Sequence, residues 1–197
     1  MSAYSTQNDL LMTNLLAFYN RDNNLQTMLK VVAGETRVSL RIVDWFVTNY
    51  AKKYYTVFNI SGDPATGSVS RRFKVYTDYK LKLKAYSKKR FDPFCRWDRI
   101  SIPYTATSSV QTTIGQLNFF KWIIESDIIR YIEEHYDDIE TDMNNRNSTS
   151  KKRDKHEVGG GTASGSGSKT RKKREELSIS ATKTIKTENV EIVVSFS

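Results

Sequence analysis

At Asn144 the chain changes character, and that break sets how much of it can fold. Residues 144–176, NNRNSTSKKRDKHEVGGGTASGSGSKTRKKREE, hold almost no apolar side chain. Such a segment cannot bury enough surface to offset the entropy of ordering it, so the sequence predicts a disordered basic Gly/Ser linker there. The side chains of a core must then come from residues 1–143, a length typical of one domain. Residues 177–197 recover a pattern, because Val190, Ile192, Val194 and Phe196 alternate with Glu191, Val193 and Ser195 at the period of a strand.

Within residues 1–143 the apolar spacing is mainly helical. Leu11, Leu15 and Phe18 predict a helix over Asp9–Asn20, and Leu25, Met28, Leu29 and Val32 a further turn or two ending at Gly34. Thr36–Lys53 is apolar around most of its girth, which makes it the expected central helix, with Asp44 in need of a partner or an edge. Tyr54–Ile60 is aromatic and β-branched and runs into the turn cluster SGDPATG, so a hairpin is expected, with a return strand from Ser68 to about Tyr76. Helical spacing then holds from about Thr77 to Lys88 and stops at Phe91-Asp92-Pro93, because a residue before proline is pushed out of the helical region.

Arg99–Tyr104 reads as a short strand, Thr105–Gln111 as a polar loop, and Thr113-Ile114-Gly115-Gln116 as a capping box opening a helix. A second helix, capped by Ser126-Asp127, is predicted through Ile128, Tyr131, Ile132, His135, Ile139 and Met143. The fold class expected is α+β and mainly helical: a small helical domain with a short antiparallel β-element, then the basic tail and a terminal strand.

Charge narrows the partner. The chain has a net charge of +9, and between Arg71 and Arg99 eleven Lys and Arg face only Asp78, Asp92 and Asp98, a local net of +8. Phe73, Tyr76, Tyr79, Tyr86, Phe91, Phe94 and Trp97 are threaded between those charges. Cations that follow a phosphate backbone, with flat rings for bases, are the composition of a nucleic-acid surface. The expected contacts are Arg71, Arg72, Lys74, Tyr76, Lys88, Lys89, Arg90, Arg96 and Trp97. The tail would add Lys151, Lys152, Arg153, Arg171, Lys172, Lys173 and Arg174, clusters that also have the composition of nuclear-import signals. Lys121–Asp142, by contrast, carries eight acidic residues against Lys121 and Arg130, a net of −6, expected to balance the basic stretch within the fold.

Catalytic constellations are thin. His135 and His156 are the only histidines, and Cys95 is the only cysteine, so a His-based triad, a multi-His metal site and an internal disulfide are not expected. Cys95 has cations beside it that would lower a thiol pKa, although a lone thiol among aromatics is more often packed. Asp78-Tyr79-Lys80, if on a strand, has the spacing by which metal-dependent nucleases place a carboxylate ligand and an amine on one face, and this is kept as a remote alternative. No catalytic residue, metal or cofactor is assigned. The N-terminus lacks the pattern of a signal peptide, and no run of about eighteen apolar residues occurs, so no membrane partner is expected.

The strings RVSLRIVDWFVTNYAKKYY (Arg37–Tyr55), AYSKKRFDPFCRWDRI (Ala85–Ile100) and TTIGQLNFFKW (Thr112–Trp122) resemble those of a group of uncharacterised proteins of large nucleocytoplasmic DNA viruses. The likeness covers about Thr36 to Asp142. It implies a viral origin and a location inside an infected host cell, in cytoplasm or nucleus or packaged in the virion, and it supplies no activity or site residue. The function expected is that of a non-enzymatic basic viral protein that binds nucleic acid, DNA or RNA, with little sequence preference. The alternative is a virion structural or scaffold protein that meets other virion proteins instead. The terminal strand is expected to pair with an open sheet edge, of its own domain or of a second copy in a homo-oligomer.

Overall fold

Helical spacing near the N-terminus becomes α1 (Gln7–Tyr19) and α2 (Asn24–Ala33) in the computed structural model, which describes residues 7–60, 70–104, 108–156 and 187–189. Leu15 and Tyr19, one turn apart, are buried, and the Tyr19 hydroxyl donates to the Leu117 carbonyl at 2.7 Å. Gly34 closes α2 at φ 74, and the Glu35 N–H returns to the Lys30 carbonyl at 2.9 Å, the left-handed turn that glycine fills without a Cβ penalty.

The segment expected as one helix from Thr36 begins only at Leu40, because Ser39 is extended and its hydroxyl accepts from the Ile42 N–H. It is a composite rod: α3 (Leu40–Trp45), a π-helical turn (Phe46–Tyr50) and α4 (Ala51–Lys53). The wider π turn keeps Phe46, Val47 and Ala51 all in the core. Two antiparallel strands follow, β1 (Val57–Ile60) and β2 (Arg71–Lys74), then α5 (Val75–Arg90). The strand expected to reach Tyr76 thus gives way earlier, because Tyr76, Tyr79, Leu83 and Tyr86 pack on the core at helical spacing.

A second sheet joins β3 (Arg99–Pro103), β4 (Ser108–Thr113) and β5 (Thr187–Asn189) in that order, all antiparallel. The expected polar loop at Thr105–Gln111 is corrected from Ser108 onward. Val110 and Thr112 alternate into the core at 1% and 0% exposure, a strand pattern masked by polar composition. The chain's own C-terminal segment covers the β4 edge, at Thr187–Asn189; the alternating residues from Val190 onward lie outside the described residues, as does the SGDPATG turn.

The most enclosed helix is not the rod but α6 (Ile114–Glu125), buried on nearly every side through Leu117, Phe119, Phe120, Trp122 and Ile123. The Thr113 hydroxyl caps it by accepting from the Gln116 N–H at 3.1 Å, but the Gln116 side chain does not complete the expected box, being engaged elsewhere. The next predicted helix is two, α7 (Ile128–Glu134) and α8 (Tyr136–His156). Asp127 sits at φ 53 and makes no cap; its carboxylate pairs with Arg130 instead. Residues 144–156, expected as linker, are a helical continuation of α8, whose Arg146 reaches back to Asn49 at 3.4 Å and lies over the Trp45 ring. Once a helix is nucleated, each added residue gains a hydrogen bond, so polar composition alone does not end it.

Candidate nucleic-acid interface

The pairing of β1 with β2 decides where the first basic residues point. Phe73 lies opposite Phe58, ring against ring at 5.4 Å on the core side, so Arg72 and Lys74, one residue either way, face solvent. Arg71 is also exposed and lies 5.7 Å over the Phe73 ring. In α5 the exposed Lys80 and Lys84 are four residues apart and share one face. From Val75 to Ser87 the axis covers about 18 Å at the usual helical rise. There Ser87, at φ 66 and ψ 165, breaks the helical path, and Lys88, Lys89 and Arg90 continue from the kink. Arg71, Arg72, Lys74, Lys80, Lys84 and Lys88 make no ion pair among the described residues.

The three acids of this stretch are spent internally. Asp78 accepts from the Trp122 indole N–H at 2.7 Å. Asp92, 3% exposed, accepts from Arg96 through both carboxylate oxygens, at 2.8 and 2.7 Å. Asp98 pairs with Lys89 at 2.6 Å. Lys89 and Arg96 are therefore committed, while Lys80 and Lys84, absent from the expected contacts although they fall in the helix expected from about Thr77 to Lys88, extend the free row; their four-residue spacing on that helix is the signal that could have found them. Asp78 and Lys80 lie on a helix, where residues two apart do not share a face, so the nuclease-like pairing does not form.

The turn after α5 is fixed by the start of α6. Gln116 donates to the Pro93 carbonyl at 2.9 Å while accepting from the Thr112 hydroxyl, Asn118 donates to the Arg90 carbonyl at 3.0 Å, and the Asp92 N–H donates to the Gly115 carbonyl at 3.2 Å. A Cβ on Gly115 would sit 2.8 Å from the Lys89 carbonyl oxygen, a backbone atom that cannot swing away. Gly115→Ala is expected to lower stability by about 1–3 kcal/mol, the usual range for overpacking, as a urea melt would show. Two of the strings that carry the viral resemblance thus meet at this contact.

Local electrostatics follow from the same packing. Hydrogen bonding to Asp92 holds Arg96 firmly protonated, and the field of Asp44 adds to it, which gives the half-buried Asp44 its answering charge. Burial pushes the Tyr79 phenol up to about 12, with Asp44 and Asp92 adding. Burial also pushes the Cys95 thiol up, and Arg99 only partly opposes it, so the expected conditions for a lowered pKa do not arise.

The aromatic residues do not line the surface as expected. Phe73, Phe91 and Phe94 are buried; Tyr79, Phe91, Phe119 and Trp122 form one packed cluster, with Tyr86 stacked on Phe91. Tyr76 is half-buried with the Lys52 ammonium 5.8 Å from its ring, and Trp97, 44% exposed, is the one ring of the group that is open. Tyr55, 85% exposed, was not singled out by sequence. Nor does the acidic stretch balance the basic one: its ion pairs to other elements run from Asp142 to Lys53 of the rod and from Asp137 to Arg37 in the bend just before it, because α8 packs there. Glu133, Glu134, Asp137 and Asp138 stay exposed on α7 and α8.

Beside them a cleft of about 280 Å³ is lined by stacked Phe58, Tyr131 and His135 together with Asp127, Arg130 and Glu134, a net negative setting that does not suit an anion. The His135 Nδ1 lies 3.0 Å from the Tyr131 carbonyl, a structural tie. Among the described residues no group of His, Cys, Asp and Glu is placed to hold a metal, and no helix is long and apolar enough to cross a membrane. Lys151, Lys152 and Arg153 fall on the α8 backbone, while Arg171, Lys172, Lys173 and Arg174 lie outside the described residues.

A mainly helical α+β domain with one basic face is the class these features define. The chain belongs to a family of unknown function, DUF7197, whose pattern spans residues 3–195. It is 44% identical over 134 residues to an uncharacterised protein of Acanthamoeba polyphaga mimivirus, a match that takes in 66% of this chain and 49% of the relative. The chain thus spans about half the length of that relative, and the likeness to uncharacterised proteins of large DNA viruses stands. No solved structure matches.

Proposed function

We propose that this protein binds nucleic acid without strong sequence preference, by charge rather than by catalysis, along the face built from β2 and α5. The observation that carries the reading is the commitment of Asp78 to Trp122, of Asp92 to Arg96 and of Asp98 to Lys89, which leaves Arg71, Arg72, Lys74, Lys80, Lys84 and Lys88 as a row of exposed cations without ion pairs among the described residues. Phosphates met along such a row release condensed counterions, and affinity of that origin is insensitive to sequence. The acids at α7, where Asp127 and Glu134 line a cleft against Phe58 and Asn59 of β1, would orient the approach by repelling the same ligand from that side. An infected cell, or the virion itself, is where the ligand would be met.

Binding of random-sequence DNA and RNA across a salt series tests this. If about six phosphates are neutralised, log affinity should fall against log salt with a slope near −5 on duplex DNA. Absence of binding at low salt would sink the proposal and leave a scaffold role, in which the charged faces answer protein neighbours, as the better account.

A further inference from the structure

Helix α4 ends in the same left-handed turn that closes α2, but with a different residue inside it. The Thr56 N–H returns to the Ala51 carbonyl at 3.2 Å, and the residue held in the turn, where α2 has Gly34, is Tyr55 at φ 50. A bulky L side chain in that conformation is an outlier that costs folding free energy. Packing does not offset the cost, because Tyr55 is 85% exposed and its hydroxyl has no hydrogen-bond partner among the described residues. The neighbouring Tyr54 does find one, in Asp142 at 3.2 Å.

The ring stands at the head of the basic row. The Val75 N–H donates to the Thr56 carbonyl at 3.3 Å, and Val57 is registered opposite Lys74, so Lys74 comes alongside on the adjacent strand. Lys52 is exposed on the helical turn just before it. Neither lysine is ion-paired among the described residues. A duplex keeps the faces of its bases stacked inside and offers this ring nothing, whereas a single strand presents both a base face and the flanking phosphates.

We infer that Tyr55 is a base-stacking platform and that the ligand of the basic face is single-stranded nucleic acid. The inference rests on the proposed binding function and adds the ligand's form to it. The side chain explains the strain: the turn gives up stability to hold a ring where only a ligand covers it.

Full-length wild type, Tyr55→Gly and Tyr55→Phe would be titrated by fluorescence anisotropy against a 20-nucleotide oligo-dT, an oligo-U of the same length and a 20-base-pair duplex, at one low salt concentration. Wild type should prefer the single strands. Tyr55→Gly, relieved of the strained turn, should melt a few degrees higher and yet bind single strands about 5- to 100-fold more weakly, the range of one lost base stack, with duplex affinity unchanged. Tyr55→Phe should bind like wild type. A duplex preference, an equal loss on both ligands, or unchanged single-strand affinity in Tyr55→Gly would overturn the inference and leave the basic face standing as a phosphate surface. If no nucleic acid binds wild type, the proposed function itself fails, and this inference with it.

Discussion

Replacing Arg72, Lys74, Lys80 and Lys84 together by Gln should lower nucleic-acid affinity by roughly three orders of magnitude near 0.1 M salt. Each phosphate contact contributes about 0.9 to the salt slope on duplex DNA and about 0.7 on a single strand, so losing four flattens the slope by about 3.6 or 2.8. All four side chains are exposed and make no ion pair among the described residues, so the melting temperature should hardly move. Gln at Lys151, Lys152, Arg153, Arg171, Lys172, Lys173 and Arg174 should cost less, because cations already positioned on a folded face need no ordering on binding. An unchanged slope in the face variant, or a larger loss from the tail variant, would move the site to the tail.

Asp142→Ala should destabilise the domain by about 2–3 kcal/mol at pH 7, through loss of hydrogen bonds to a charged acceptor and a stranded indole donor. The Asp142 carboxylate, 9% exposed, accepts from the Trp45 indole N–H at 3.1 Å and the Tyr54 hydroxyl at 3.2 Å and pairs with Lys53, tying α8 to the rod. Burial pushes its pKa up, but the hydrogen bonds from Lys53, Trp45 and Tyr54 outweigh that and leave it below the usual carboxylate value. Its folded pKa being lower than its unfolded one of about 3.9, the charged carboxylate's contribution is complete above that value and drains away as pH falls through the folded pKa. The stability gap between wild type and Asp142→Ala should accordingly be constant from about pH 5 to 8 and narrow below about pH 4. Urea melts across that range check this, and a gap as wide at pH 3 as at pH 7 would refute it.

How legible the fold was in sequence depends on the signal each element used. α1 and α2 announced themselves by apolar spacing and by Gly34, since both are local. β4 was missed because all its residues but Val110 are Ser, Thr or Gln, and only pairing with β3 and burial of Val110 and Thr112 make it a strand. α6 was recognised as a helix but not as the centre. Its buried Gln116 and Asn118 look like surface residues until the carbonyls of Pro93 and Arg90 are brought to them.

The candidate site divides in the same way. The sequence by itself determined the family likeness, the mainly helical class and the concentration of positive charge between Arg71 and Arg99, because composition and local periodicity are properties of the chain. Which of those charges are free, and which rings are open, only the tertiary structure decided. Asp92 and Arg96 share a short turn, but Asp78 meets its Trp122 partner from far along the chain, and the tyrosines turn inward because α5 must cover α6. Tyr55 was visible as a letter beside Tyr54, but its open ring and positive φ follow from how α4 ends against β1 and β2. A backbone turn is chosen by the elements it must join, and a sequence states those elements before it states their angle.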